Sequence, residues 1–279
     1  MWVSAGLHTI AQNEGTSSKP AASLTKVATT LAALAQWEPD HRFETWIGWQ
    51  GRYEGGIVDG DLVIAGGDDP LFVWEEAIAL GKSLQALGIR QVTGNLVIAG
   101  NFSMNFAPEP GKSGELLKQA LNSSSWDWPI QEAHLEMQPE TPMPTLQING
   151  MVKVTPSSQR NQVSGWLIRH DSLPLVAILK AMNIYSNNPM AEKMSALVGG
   201  PASVVRQAEA VAGVAPNELS LIIGSGLGEE NQMSPRAAVA MMLKFHDFLR
   251  ADNLTIADVF PVAVTDGVTV LNLTLPAKT

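Results

Sequence analysis

The sequence predicts a mixed α/β protein in which helical ends flank a β-rich middle. An early amphipathic helix is indicated by apolar residues spaced by three or four, at Leu24, Val27, Leu31 and Leu34. Alternation from residue 43 to residue 49 then predicts a strand. Helical periodicity returns near residue 173 and continues to about residue 252. This order suggests one domain split between residues 1–50 and 163–279, interrupted by an inserted β-rich domain at residues 51–162.

Local signals predict the remaining elements. We expect strands at 61–65, 92–98, 146–154 and 219–223, and helices at 72–87, 190–197, 202–212 and 234–249. Ser234 and Pro235 supply an N-cap and a first-turn proline for the last helix. The stretch from 101 to 144 contains six prolines and is expected to be rich in loops. Asn149-Gly150 predicts a hairpin turn.

Composition excludes several classes of function. The chain has 279 residues, a formal net charge of −9 and no cysteine. Without a basic stripe, nucleic acid is not expected as a partner. Without cysteine there are no disulfides, thiolate nucleophiles or Cys-based metal sites, and the five histidines form no H-E-x-x-H motif. We therefore expect no metal and no cofactor. No apolar run approaches the ~20 residues that span a bilayer, and the first ten residues do not resemble a signal peptide.

The first candidate for chemistry is the S-x-x-K tetrad formed by Ser23 and Lys26 at a predicted helix start. Positions i and i+3 share one helical face, so the amine can approach the hydroxyl. Serine is a poor nucleophile until a base takes its proton, and lysine can be that base only if its surroundings lower its pKa. Taken alone, the tetrad is more often a helix cap, with the Ser23 hydroxyl bonding free backbone N–H groups, followed by a solvated lysine.

Two further motifs follow in the chain. Ser186 and Asn188 form an S-x-N placed between two predicted helices, and Lys278-Thr279 ends the sequence. Each is weak alone, because serine and asparagine are ordinary loop residues. The order S-x-x-K, S-x-N and K-T-G is the set used by penicillin-binding proteins and serine β-lactamases.

The wider sequence resembles the class C low-molecular-mass penicillin-binding proteins, a family of serine D-alanyl-D-alanine carboxypeptidases and endopeptidases, and is most similar to cyanobacterial-type members. The segments that carry the resemblance are Lys19–Lys26, Thr29–Leu34, Phe43–Thr45, Gly60–Leu62, Gly66–Pro70, Gly94–Ile98, Asn183–Asn188, Ala191-Glu192, Gly224–Leu227 and Ser234-Pro235. The chain departs from the family pattern at Ile223, where Asn or Asp is usual, and at Gln232, where Arg is usual.

The resemblance implies a helical cluster against an antiparallel sheet, with the nucleophile helix buried between them. It implies that Ser23 attacks the penultimate D-Ala carbonyl of a peptidoglycan stem peptide while neutral Lys26 takes the proton. Ser186 and Lys278 would then protonate the leaving D-Ala, and Asn188 and Thr279 would bind substrate. β-Lactam antibiotics are the expected inhibitors and the periplasm is the expected location. The oligomeric state is left open.

Two other readings stay open. A serine β-lactamase-like hydrolase shares the three motifs, although no glutamate here matches the deacylating residue of the class A type. A non-catalytic wall-binding homologue is suggested by Ile223 and by the altered approach to the third motif. Because family members continue past Lys-Thr with a glycine, further strands and a closing helix, we expect the chain to be truncated. By itself it should be poorly soluble and bind penicillin weakly.

Overall fold

The computed structural model describes residues 1–6, 8–137, 142–157, 162–263 and 266. The chain divides into two compact units, one formed by Met1–His41 with Pro174–Thr279 and the other by Arg42–Leu173. The second unit is longer at both ends than the insertion predicted at residues 51–162. The predicted domain boundaries stay a prediction.

Eight helices and twelve strands occur in the described residues. The helices are α1 (Thr25–Gln36), α2 (Trp74–Ala86), α3 (Pro110–Ala120), α4 (Trp128–Glu136), α5 (Leu175–Ile184), α6 (Asn188–Leu197), α7 (Pro201–Ala212) and α8 (Pro235–Arg250). The strands are β1 (Trp2–Ala5), β2 (His8–Gln12), β3 (Lys19–Pro20), β4 (Glu44–Glu54), β5 (Ile57–Gly67), β6 (Gln91–Val92), β7 (Leu96–Asn101), β8 (Gln147–Ile148), β9 (Val152–Thr155), β10 (Gly165–Asp171), β11 (Leu219–Ser220) and β12 (Gln232–Met233).

Helix α1 is the centre of the first unit. Its residues from Thr25 to Leu34 are all buried, and it packs against α6, α7 and α8. A helix that is covered on all sides is a core element rather than the amphipathic helix that the sequence predicted. Leu24, expected on the buried face, is 47% exposed because it lies in the 3-10 turn that precedes α1. The consequence for function is that Lys26, in the first turn of α1, is drawn into the protein interior.

The second unit is built on a seven-stranded sheet. Strand β4 pairs antiparallel with β5 and with β10, whereas β5–β6, β5–β7, β6–β8 and β7–β9 are all parallel pairs. Side chains alternate between the two faces: Leu62 and Ile64 join the main core together with residues of α2 and α3, and Val63 joins a smaller cluster on the other face. Parallel pairing was not expected from the sequence.

The stretch predicted to be loop-rich contains two helices, so that prediction is wrong. Pro110 is the first residue of α3, and Pro129 lies in the first turn of α4. Proline is well suited to the first turn of a helix, because its missing N–H would have no intrahelical partner there. These prolines therefore begin helices where the sequence reading took them to break structure.

The hairpin predicted at Asn149-Gly150 is also wrong. The strands on either side, β8 and β9, pair in parallel with β6 and β7 and not with each other. Gly150 donates its N–H to the carbonyl of Gly94 at 2.7 Å, and a Cβ at Gly150 would lie 2.4 Å from that oxygen. Glycine is required here because two backbones pass closely, at a step between two strand segments.

Burial makes Glu76, in the first turn of α2, a pH-dependent weak point of the second unit. Its carboxylate accepts a hydrogen bond from the N–H of Val73 at 3.0 Å. Burial, with a smaller contribution from the charge of Asp69, raises the pKa of Glu76 to about 7. A carboxyl whose folded pKa lies above its unfolded pKa binds its proton more tightly in the folded state. Stability is therefore lost as pH rises from the unfolded pKa through the folded one.

We expect Glu76→Gln to stabilise the protein at pH 8 by about 1–3 kcal/mol, and to have little effect at pH 4. The amide oxygen of glutamine can still accept from Val73, and no charge has to be buried. Urea denaturation at the two pH values measures the difference. Glu75→Gln, one residue earlier on the same helix, is the matched control. An equal change in unfolding free energy at both pH values would contradict the prediction.

Candidate active site

Ser23 lies in the 3-10 turn Ala22–Leu24, directly before α1, and its side chain is exposed. Its Oγ is 2.9 Å from Oγ of Ser186 and 3.4 Å from Nζ of Lys26. The structure thus brings together two motifs that are 163 residues apart in the chain. A hydroxyl with a second hydroxyl and an amine as neighbours has the surroundings of an activated nucleophile.

The Ser23 hydroxyl does not cap α1, so the alternative interpretation of the tetrad as a helix cap is wrong. The residue at the N-cap position of α1 is Leu24, and neither the turn nor the helix has a side-chain cap. Residues 22–24 already form a helical turn, in which the N–H of Leu24 donates to the carbonyl of Ala21. The hydroxyl therefore contacts reactive side chains instead of backbone amides.

Lys26 is held in a geometry that suits a neutral amine. It is 2% exposed, and its Nζ donates to Oδ1 of Asn188 at 2.7 Å and to the carbonyl of Ser225 at 2.9 Å. Both oxygens can only accept. Nζ also lies 3.4 Å from Ser23 Oγ. An ammonium would donate to all three oxygens, whereas a neutral amine that donates to the two nearer ones keeps its lone pair for the Ser23 hydroxyl.

The electrostatic surroundings of Lys26 act in two directions. Burial lowers the pKa of Lys26 below its ordinary value, because a charged ammonium loses solvation in the protein interior. The nearby negative charge of Glu192 raises that pKa and partly opposes the effect of burial. The net result is an amine that gives up its proton more readily than a solvated lysine.

The S-x-N residues lie where α5 ends and α6 begins. Ser186 has a left-handed backbone with a φ of 49°, and Ala22, next to Ser23, has a φ of 45°. Asn187 caps α6 by accepting from the N–H of Met190 at 3.0 Å. Asn188 is the first residue of α6. Because Oδ1 of Asn188 accepts from Lys26, its Nδ2 group is the part of the amide that can donate to a substrate.

A loop that sequence reasoning did not assign to the site completes the surroundings of Lys26. Ser225 is buried and accepts from Lys26 through its backbone carbonyl. Gly226 has a φ of +81°, and a Cβ there would lie 1.9 Å from the carbonyl oxygen of Ala22. Only glycine allows this conformation and this approach to the nucleophile turn. The available sequence signal was the pair of glycines on either side of Ser225.

Glu192 and Asn231 hold this loop in place. Oε2 of Glu192 accepts from the N–H of Gly224 at 3.0 Å, and Oε1 accepts from the N–H of Ser225 at 2.9 Å. Asn231 accepts from the N–H of Ile223 at 3.3 Å and donates to the carbonyl of the same residue at 2.7 Å. Ile223, the residue at which this chain differs from the family pattern, is thus held through its backbone by Asn231.

A lysine on α5 anchors the segment that follows α8. Nζ of Lys180 donates to the carbonyls of Ala257 and Phe260, both at 2.7 Å, and to Oδ2 of Asp266 at 2.6 Å. The hydrogen bond from Lys180 lowers the pKa of the Asp266 carboxyl. Lys278 and Thr279, predicted to act in catalysis and in substrate binding, lie outside the described residues.

The described part of the chain shows no group of three or more His, Cys, Asp or Glu side chains arranged to hold a metal ion. The side chains brought together at Ser23 are a second serine hydroxyl, a buried amine and an amide. These groups together can carry out acyl transfer through a covalent intermediate.

The family comparison decides which reaction this is. The model of the D-Ala-D-Ala carboxypeptidase 3 (S13) family matches residues 4–107 and 136–274, which is most of the chain. The chain belongs to this family. It is a serine-type D-Ala-D-Ala carboxypeptidase, and the resemblance to penicillin-binding peptidases stated from the sequence is confirmed.

Solved structures show the same fold. The Bd3459 predatory endopeptidase from Bdellovibrio bacteriovorus, solved in complex with immunity protein Bd3460, gives a TM-score of 0.77 at 20% identity, over 93% of this carboxypeptidase and 71% of that chain. Bd0816 from the same organism gives 0.75 at 21% identity, over 91% and 70%. Penicillin binding protein 4 from Haemophilus influenzae gives 0.60 at 17% identity, over 87% and 74%. The predicted α/β fold of a penicillin-binding peptidase is confirmed.

Proposed function

We propose that Ser23 is the residue acylated by substrate and that neutral Lys26 is its general base. The observation that carries this proposal is the position of Lys26, whose Nζ is bonded to Asn188 and Ser225 and lies 3.4 Å from Ser23 Oγ. In the neutral form, an amine that donates to the first two keeps its lone pair for the Ser23 hydroxyl. Burial of the amine supports the same assignment, because it favours the uncharged form that a base needs.

In the proposed mechanism, Ser23 Oγ attacks the carbonyl carbon of the penultimate D-Ala, and its proton passes to Nζ of Lys26. The backbone N–H of Ser23 is one proposed donor to the oxyanion. The bond to the terminal D-Ala then breaks, and the leaving amine receives a proton through Ser186, whose Oγ lies 2.9 Å from that of Ser23. Water finally releases the acyl group from Ser23.

Substrate binding and the later proton transfers involve three further proposed roles. Nδ2 of Asn188 is proposed to donate to a substrate carbonyl, since its Oδ1 is bonded to Lys26. Lys278 is proposed as a second source of the leaving-group proton, and Thr279 as a substrate-binding residue. The proposals for these last two residues rest on the family pattern S-x-x-K, S-x-N, K-T-G.

We propose peptidoglycan stem peptides as the substrate and β-lactams as acylating inhibitors. The support comes from relatives of the same fold: one solved structure is described as penicillin G-acylated Bd3459, and another as penicillin binding protein 4 complexed with a novel β-lactam. In the described residues, no helix has both the length and the apolar character to cross a membrane. The site of action that fits a wall substrate is outside the cytoplasm, and we propose the periplasm.

Incubation with a stem pentapeptide ending in D-Ala-D-Ala tests this function. We expect release of one D-Ala per peptide, and a penicilloyl-enzyme that hydrolyses slowly. A cross-linked stem-peptide dimer, offered separately, measures endopeptidase action. Rapid turnover of penicillin without D-Ala release would instead identify a β-lactamase-like hydrolase. An intact, folded protein that neither releases D-Ala nor binds penicillin would identify a non-catalytic homologue.

A further inference from the structure

We propose that Glu192 is a positioning residue for this reaction: its carboxylate holds the Gly224–Ser225 backbone, and the carbonyl of Ser225 in turn binds Lys26. The inference deepens the proposed function and rests on the assignment of Lys26 as the base. Glu192 touches neither Ser23 nor Lys26 by hydrogen bond among the described contacts, so its action is through the Gly224–Ser225 backbone and through its electrostatic field.

The backbone connection is short. The two oxygens of Glu192 accept from two consecutive N–H groups, those of Gly224 and Ser225, at 3.0 and 2.9 Å. The carbonyl of the same Ser225 accepts from Nζ of Lys26 at 2.9 Å. Hydrogen bonds to an ionised carboxylate are about twice as strong as neutral ones. One residue, Ser225, therefore transmits the position of the Glu192 carboxylate to the amine of Lys26.

Helix α6 places both partners of this arrangement. Asn188 and Glu192 are four residues apart on α6, so they lie on one face of the helix. Asn188 bonds to Lys26 directly, whereas Glu192 acts through the loop. Thr29 of α1 donates to the carbonyl of Gly224 at 2.8 Å, so the loop is held from α1 as well as from α6. The amine of Lys26 is thus positioned from α6 by two separate routes.

The charge of Glu192 also affects Lys26, and several other charged side chains lie on the helices that pack against α1. The charged and titratable residues on the helices packed against α1 are Glu192, Lys193, Arg206, Glu209, Arg236, Lys244, His246, Asp247 and Arg250. The nearby negative charge of Glu192 favours the ammonium form of Lys26. If Glu192 is made neutral, the effect of burial on the pKa of Lys26 is no longer opposed by this carboxylate. The ammonium form of Lys26 is then less stable.

The two effects predict a distinctive outcome for Glu192→Gln. In the pH profile of penicillin acylation, the midpoint of the acidic limb should move to lower pH, because Lys26 loses its proton more easily without the opposing charge of Glu192. The rate on the plateau should fall about three- to tenfold, because a glutamine amide can accept only one of the two N–H bonds. A substitution that only disturbs the structure would lower the acylation rate at every pH without moving the midpoint of the acidic limb.

The experiment compares three variants of the protein expressed from its whole natural reading frame, each checked for a cooperative melt. Glu192→Asp keeps the charge and shortens the reach, so its plateau should fall while its midpoint stays at the wild-type value. Glu230→Gln removes an exposed carboxylate from the same region and should leave both quantities unchanged. If Glu192→Gln does not fold, the Glu192→Asp profile still decides, since a shifted midpoint there would contradict the proposal.

An acidic limb of Glu192→Gln that stays in place or moves to higher pH would overturn the role of Glu192. Lys26→Arg, measured beside it, separates this failure from failure of the proposed function. Near-normal acylation by Lys26→Arg would show that Lys26 is not the base at all. An inactive Lys26→Arg together with an unmoved midpoint in Glu192→Gln would remove only the role of Glu192.

Discussion

Labelled penicillin should attach covalently to the peptide that contains Ser23, and Ser23→Ala should abolish this labelling. Alanine has no oxygen to attack the β-lactam carbonyl, and loss of a nucleophile from a unit of this kind costs about 10⁴-fold or more in rate. Mass spectrometry of a protease digest of the natural full-length protein measures both the adduct and its position. An adduct mapped to any other serine in the wild-type protein would disprove the assignment.

Ser186→Ala is the matched control for this experiment. It removes the hydroxyl that lies 2.9 Å from Ser23 Oγ but leaves the nucleophile and Lys26 in place. We expect the label to remain on Ser23, with acylation slowed by about 10²-fold or more, because Ser186 is assigned to proton transfer. Loss of the label in Ser23→Ala, with slower labelling in Ser186→Ala, distinguishes the nucleophile from its neighbour.

Lys26→Arg should slow acylation by about 10²–10⁴-fold, because a guanidinium stays protonated at every working pH and cannot accept the proton of Ser23. Arginine can still donate to Asn188 Oδ1 and to the carbonyl of Ser225, the acceptors that Lys26 uses, but it places a permanent charge and a larger group at a buried position, so we expect a lower melting temperature as well. Stopped-flow acylation by a chromogenic β-lactam and a melting curve measure the two quantities. Near-normal acylation with unchanged melting would show that Lys26 serves only as a structural cation.

The parts of the fold that the sequence predicted well are those determined by neighbouring residues. Helices α7 and α8 lie within a residue or two of the predicted ranges, because periodicity and caps are local signals. Ser234 caps α8 by accepting from the N–H of Ala237 at 3.0 Å, as expected from Ser-Pro at a helix start. The closeness of Ser23 and Lys26 also follows from their spacing of three on a helical turn.

The parts that could not be predicted depend on contacts between distant residues. The bond from Lys26 to Ser225 joins positions 199 residues apart, and no periodicity or motif spacing reports such a contact. The role of Glu192 depends on the same loop, so a family-like Ala-Glu pair in the sequence did not reveal it. Parallel strand pairing was missed for the same reason, since register between β5 and β7 is a tertiary property.

The left-handed backbone at Ala22 and Ser186 has a consequence for the order in which the protein assembles. An L-residue in this conformation costs roughly 1–2 kcal/mol, so neither residue adopts it for local reasons. Gly226, from a distant part of the chain, lies against Ala22, and Ser186 Oγ is bonded to Ser23 Oγ. The reactive arrangement therefore forms only when distant segments have already docked. Penicillin labelling can consequently serve as a reporter of complete refolding, because a chain with native helices but undocked loops would remain unreactive.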